Sequence, residues 1–500
     1  MSANSSTAYA TLEARFRRVG LINDALAMLQ WDRSVVMPAG SGAARAEQTS
    51  GLEVIAHETL AAPDMGDLLE AAGAAELSDW QAANLREMHR RWVHAAALEP
   101  RLVEARAKAC AQSEMVWREA REKSDFRLLQ PFMQTVLDLT REAGQAKAAA
   151  LGCSLYDALL DEYEPGGKSQ RIDAIFAELE GFLPAMLQEV LEAQKRRGAP
   201  LALEGPFPID AQRGLAVQFM DAIGFDFTKG RLDVSLHPFS GGTPDDIRIT
   251  TRYDEADFAR SLMGVLHETG HALYEAGLPT DWRLQPVGAA RGMVLHESQS
   301  LLLEMQACRS REFVSFAAPK LRAAFGKDGE AWGEGNLHRV YTVVKPGFIR
   351  VDADEVSYPL HVMLRYRLER ALLDGDMALG DLPAAWNEGM RKALGIAPPD
   401  DRLGCLQDIH WPDGAWGYFP TYTLGALAAA QLFQAAREAE PAILPSIAKG
   451  DFKPLYAWLR ANVHAKGSLH DTDTLLAQAT GRTLGVEAFR THLKARYLAA

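Results

Sequence analysis

Four cysteines in 500 residues, Cys110, Cys153, Cys308 and Cys405, are too few and too widely spaced for a disulfide framework, and none forms a C-x-x-C pair. Reduced, buried thiols are the expectation. The chain also has no apolar run of eighteen residues, so no membrane-spanning helix is expected. Its amino terminus, MSANSSTAYATLEARFRRVG, lacks the charged-then-apolar layout of a secretory leader, which points to a cytoplasmic protein. Basic residues are outnumbered, 53 Lys and Arg against 66 Asp and Glu, and the formal charge of −13 is spread along the chain. That balance favours solubility and argues against a nucleic-acid partner. Tandem repeats, low-complexity tracts and long linkers are all missing.

What remains is a chain with 48% hydrophobic residues, long enough to bury a large core. From Ser5 to about Lys195 apolar residues recur at three- and four-residue steps, as in LINDALAMLQWD and IFAELEGFLPAMLQEVLEAQKR, and predict long helices. Breaks fall at the Pro- and Gly-rich stretches VMPAGSG, YEPGGKS and RRGAPLALEGPFP. Alternating β-branched residues at Leu232–Leu236 and Ile247–Thr251 predict a small antiparallel pair, with a Gly- and Pro-rich connection between them. The helical pattern resumes after Tyr253, with Asp254 as its N-cap, and runs to the end apart from a loop over GIAPPDDRLGCLQDIHWPDGAWGYFP. The organisation expected is a single, mainly α domain over residues 1–500, with two helical halves flanking a groove.

One helix carries chemistry. In VLHETGHALYEAG, His267 and His271 lie one turn apart, so both imidazoles leave the same face and can meet one ion. Glu268 sits on the neighbouring flank, where the H-E-x-x-H pattern places a general base. Gly270, in the middle of the motif, suggests close approach of another backbone. A catalytic zinc takes three protein ligands and keeps a position open. The third ligand is sought in RGMVLHESQSLLLEMQA, where Glu297 is favoured over His296 and Glu304 is a candidate partner for one of the histidines. The metal site thus falls within residues 254–310.

Beyond the pentapeptide, several ordered motifs resemble the carboxypeptidase Taq family of zinc metallocarboxypeptidases. They are HETGH, HESQS, HPF at His237–Phe239, DIRIT at Asp246–Thr250, IRVDAD at Ile349–Asp354, GCLQDIHW at Gly404–Trp411 and GYFPTY at Gly417–Tyr422. The resemblance spans essentially the whole chain. It implies a large helical zincin-type fold with a deep substrate groove and a small sheet at its edge. It also implies a metal held by His267, His271 and Glu297, with Glu268 as base. One Zn²⁺ per chain is the implied cofactor, with Co²⁺ as a substitute. The implied activity is removal of single residues from peptides with a free C-terminus, with broad specificity, by a homodimer. Candidate donors to the reacting carbonyl are His410, Tyr418 and Tyr422. Arg350 and then Arg248 are the candidates for the terminal carboxylate, because a guanidinium binds carboxylate bidentately. His237 is a further candidate substrate contact.

Overall fold

The computed structural model describes residues 2–235 and 237–499, with side chains from Ser5 onward. Helices dominate it. The breaks expected from the sequence fall between helices. Ser2–Val35 is followed by a 3-10 turn at Ala39–Ser41, Ser169–Arg197 begins after YEPGG, and the RRGAPLALEGPFP segment separates Arg197 from Ile209. The long connection after Leu394 ends where the Pro420–Ala439 helix starts. No helix among the described residues is long and apolar enough to cross a membrane. All four cysteines are free; Cys308 and Cys405 are buried and the other two half-buried.

The apolar periodicity sorts these helices into two main packed groups. Ala8, Leu12, Phe16, Met65, Leu69 and Met88 form a small core within the first helices. A much larger core runs from Ala120 to Tyr497 and holds the helices that position the site. Its C-terminal end is tied down by polar contacts, since the buried Glu355 carboxylate accepts from His492, Arg496 and Tyr497. Burial works against that charge, and His492 and Arg496 overcome it, holding the carboxyl down at about 2.

Three short strands stand beside this core: β1 (Gly230–Val234), β2 (Phe239–Thr243) and β3 (Asp246–Thr251). Their order is β1-β3-β2. β1 runs parallel to β3, which corrects the antiparallel pairing expected of these two segments; the antiparallel pair is β2 with β3. The reason lies in the connection, whose glycines and proline suggest a loop. FSGGT forms a strand of its own, and that extra reversal turns β3 back into the direction of β1. Leu236, the last residue expected in the first strand, lies outside the described residues. Ile247 and Ile249 of β3 pack on Val265 and Ala272, so the sheet lies along the helix that carries the motif.

That motif helix spans Phe258–Ala276 and ends at Gly277 as the sequence suggests, but its N-cap is Asp257. The Asp257 carboxylate accepts from the backbone N–H groups of Ala259 and Arg260, whereas Asp254 accepts from Ala256 in the preceding turn. Leu262, Val265, Leu266, Ala272 and Leu273 form its buried face. A second helix, Gly292–Leu301, returns across it. At the crossing a Cβ on Gly270 would stand 2.5 Å from the Gln299 carbonyl oxygen and 2.7 Å from the Ser300 Cα. Backbone cannot yield as a side-chain tip can, so glycine is required here by space and not by its φ.

The same helix supplies an internal control. Gly264→Ala meets nothing within 4 Å and should stabilise the protein by about 0.5–1 kcal/mol through helix propensity. Gly270→Ala gains the same propensity but must push the crossing helices apart, and should destabilise by about 1–3 kcal/mol. Denaturant unfolding of the two variants checks this; equal stability of the pair would contradict the packing argument.

Candidate active site

The crossing of the motif and return helices brings His267, His271 and Glu297 together. One donor atom from each lies within 4.8 Å of the others. The His271 Nε2 is 3.4 Å and the His267 Nε2 3.9 Å from the same Glu297 oxygen. Three donors at about 2.0–2.2 Å from one ion in tetrahedral array stand about 3.4 Å apart, so the spacing suits a small divalent cation. Glu297 reaches this point from a deeply buried position on the return helix. A third helix, Pro420–Ala439, packs against its other side, and a Cβ on Gly425 would come within 2.8 Å of the Glu297 Cβ.

Each imidazole is held from behind. The Nδ1 of His267 contacts Glu304 at 3.0 Å, and Glu304 is held in turn by Arg309 at 2.6 Å. Glu304 sits on a π-helical turn, Leu302–Ala307, that continues the return helix. His296 does not join the three donors. Its Nδ1 lies 2.7 Å from the Nδ1 of His271, and its Nε2 lies 2.9 Å from Glu275.

The electrostatics of the cluster favour a cation. Burial alone would lower the His267 pKa, but Glu297, Glu304 and Glu268 push it up to about 10. Burial lowers His271 to about 4, opposed by its contact with Glu297. Burial acts against the Glu297 charge, and the two histidines more than offset it, leaving the carboxyl below its usual range. The donor set of two imidazoles and one carboxylate is the chemistry of a zinc-type site. Glu268, on the neighbouring flank, is buried, and burial raises its carboxyl to about 7, with His267 opposing the rise.

A second cluster adjoins this one. Tyr358, Tyr418 and Tyr422 all feel the Glu297 carboxylate. The Tyr422 hydroxyl is 3.1 Å from the His410 Nε2, and the Tyr418 ring packs against both residues. The Arg350 guanidinium lies over the Tyr422 ring, 4.4 Å from its centroid. Arg350 and Arg365 share one carboxylate, Asp408, at 2.9 and 2.6 Å from opposite oxygens. Burial opposes the charge on Asp408, and the two guanidiniums overcome it, holding the carboxyl far below its usual range. Burial and these same guanidiniums lower His410 to about 4, against the pull of Asp408. Two buried cations against one anion leave a net positive charge, and the Arg365 Nη2 has no hydrogen-bond partner.

His410, Tyr418, Tyr422 and Arg350 are therefore gathered beside the three donors, while two other candidates are placed differently. The Arg248 guanidinium is clamped by Asp246 at 2.6 and 2.7 Å and stacks on Trp31, 4.5 Å from its centroid. Asp233, the partner expected for it across the strands, lies opposite Thr250 and is taken by Arg231. His237 is exposed in the β1–β2 connection, where its carbonyl accepts from the Ser235 hydroxyl. Asp408, Arg365 and Tyr358 are not among the candidates expected from sequence. Arg365 carries a signal, a lone charge inside the apolar stretch PLHVMLRY, that a search for buried cations would find.

Comparison with known proteins agrees with this geometry. The profile of the carboxypeptidase Taq (M32) metallopeptidase family matches residues 11–497. Thermostable carboxypeptidase 1 of Thermus thermophilus is 39% identical over 95% of both chains. Among solved structures, metallocarboxypeptidase 1 of Trypanosoma cruzi superposes with a TM-score of 0.96 at 43% identity, covering 99% of this chain and 100% of that one. A carboxypeptidase of Pyrococcus furiosus gives 0.92 at 33% identity, covering 98% and 99%. This chain belongs to the carboxypeptidase Taq (M32) metallopeptidase family and is a metallocarboxypeptidase, a hydrolase acting on peptide bonds.

Proposed function

We propose that this enzyme is a zinc-dependent carboxypeptidase that shortens peptides one residue at a time from a free C-terminus, with broad side-chain tolerance. The observation that carries the reading is the convergence of His267, His271 and Glu297, with Glu268 buried beside them. One Zn²⁺ per chain is held by those three donors, and their N/O chemistry also accepts Co²⁺. When bound, the ion supplies the Lewis acidity that makes water a nucleophile near neutral pH. Glu268 takes the proton as water attacks the scissile carbonyl and returns it to the leaving amine; a carboxyl raised toward 7 is suited to both transfers. The Tyr422 hydroxyl and His410 are the donors beside the developing oxyanion, with Tyr418 packed behind them.

Arg350 receives the terminal carboxylate. Its surroundings carry the uncompensated positive charge, whereas Arg248 is already engaged by Asp246 and Trp31. The same charge weighs against an endopeptidase, which has no terminal carboxylate to anchor. As an outer strand of the sheet, β2 offers backbone groups to an extended peptide, a mode that tolerates many side chains. We further propose one domain over residues 1–500, a cytoplasmic homodimer and no nucleic-acid partner, in keeping with the family resemblance and the charge of −13.

Mass spectrometry of one mixed-sequence peptide as free acid and as C-terminal amide tests the activity. A ladder shortening from the free C-terminus, stopped by amidation and by a chelator, is expected; internal cuts in both forms would assign an endopeptidase instead. Glu268→Gln should retain stoichiometric metal and lose about 10²–10⁴-fold in kcat, while His271→Ala should lose metal and activity together. Full turnover by Glu268→Gln would remove the assigned base. Arg350→Met should lower kcat/KM on the free acid by at least about 30-fold, the loss expected when one partner of a buried charge pair is truncated. Unchanged kcat/KM in this variant would move the anchor elsewhere.

A further inference from the structure

The support behind His271 differs from that behind His267, and its geometry fixes where each proton lies. Glu275 is four residues beyond His271 on the motif helix, and one of its oxygens lies 2.9 Å from the Nε2 of His296. A carboxylate offers only lone pairs, so the N–H in this contact belongs to His296. With that N–H on Nε2, the Nδ1 of His296 serves as the acceptor in its other contact. The proton in the 2.7 Å contact between the two Nδ1 atoms therefore belongs to His271. That leaves the His271 Nε2 bare, facing the Glu297 oxygen 3.4 Å away. The ring of His296 is steadied against Tyr274, whose centroid lies 5.5 Å from its own.

We infer that Glu275 and His296 are positioning residues, a two-step hydrogen-bond relay that locks His271 in the tautomer and orientation needed to bind the metal. His267 is oriented in one step, through the contact of its Nδ1 with Glu304. A metal-ligating imidazole ordinarily donates its second N–H to an oxygen acceptor. Here an imidazole takes that place and passes the orientation on to a carboxylate on the ligand's own helix. Both residues stand on the Nδ1 side of His271, opposite the Nε2 that faces Glu297, so the effect is carried by metal affinity. The inference rests on His271 being a ligand, which the His271→Ala titration decides independently.

The test is a chelator competition measuring Zn²⁺ affinity, with the visible spectrum of the Co²⁺ form as a second readout and melting of the metal-free protein as a control of the fold. Glu275→Leu should weaken Zn²⁺ binding by about 10–100-fold and alter the Co²⁺ bands. Glu275→Gln keeps an acceptor oxygen and should restore affinity to within a few-fold. His296→Leu should lose as much as Glu275→Leu, and the double variant no more than either, since both remove one relay. Wild-type affinity in Glu275→Leu would overturn the inference. So would a loss in Glu275→Gln as large as in the leucine variant, which would assign the effect to charge. Additive losses in the double variant would show two independent contributions and break the relay.

Discussion

The Glu297 carboxylate is taken out of water between two helices that approach to glycine distance. On one side Gly270 lets the return helix touch the motif helix; on the other Gly425 leaves room for the Glu297 side chain itself. An isolated carboxylate so placed costs several kcal/mol, which the fold must offset with positive charge or hydrogen bonds at that spot. His267, His271 and the Ser300 hydroxyl answer that requirement from within the protein. The imidazoles are brought into range by the same close crossing that buries the acid. Packing and metal chemistry are thus one constraint: widening the crossing by a methyl group separates the donors as well as the helices.

Two centres of opposite sign stand side by side as a result. Around His267 and His271 the surplus is negative, from Glu268, Glu297 and Glu304, with Arg309 as partial compensation. Around Asp408 the surplus is positive, because one carboxylate serves two guanidiniums. Tyr358 and Tyr422 lie between them and interact with both Glu297 and Arg350. A peptide terminus is itself polar in this sense, with a polarisable carbonyl one residue before a full negative charge. On the function proposed above, such an arrangement discriminates by charge position more than by side-chain shape.

Local pattern carried much of this into the sequence. The motif helix, its stop at Gly277, the return helix and the loop boundaries follow from apolar periodicity and from Pro and Gly, which act within a few residues. The reason for Gly270 was legible too, since a small residue inside a helix implies a neighbour. What escaped depends on partners distant in sequence. The direction of β1 relative to β3 turned on whether FSGGT forms a strand, and its glycines hid the pairing that makes it one. Asp408 stands in the GCLQDIHW motif, yet its surroundings are set by Arg350 and Arg365, 58 and 43 residues away. The partners of His296 required the angle at which two helices cross, and no spacing rule supplies that.

The two halves of the site are held rigid by different means. His267, His271 and Glu297 all project from helices, where backbone hydrogen bonds and packing fix each Cα, and such elements place side chains more precisely than loops do. Arg350, Asp408 and His410 come instead from a 3-10 turn and an irregular segment. Gln407 supplies the missing stiffness. Its side-chain oxygen accepts from the Arg350 N–H at 2.9 Å, while its amide donates to the Phe348 carbonyl at 3.0 Å and to the Leu403 and Gly404 carbonyls at 3.1 Å. One side chain thus sews the segment bearing Arg350 to the segment bearing Asp408, in the place that ladder hydrogen bonds hold within a sheet. With the backbones joined, the Arg350–Asp408–Arg365 array is set by covalent and hydrogen-bonded geometry before any substrate arrives, and, on the role proposed for Arg350, little of the binding energy for a terminal carboxylate is spent on ordering its receptor.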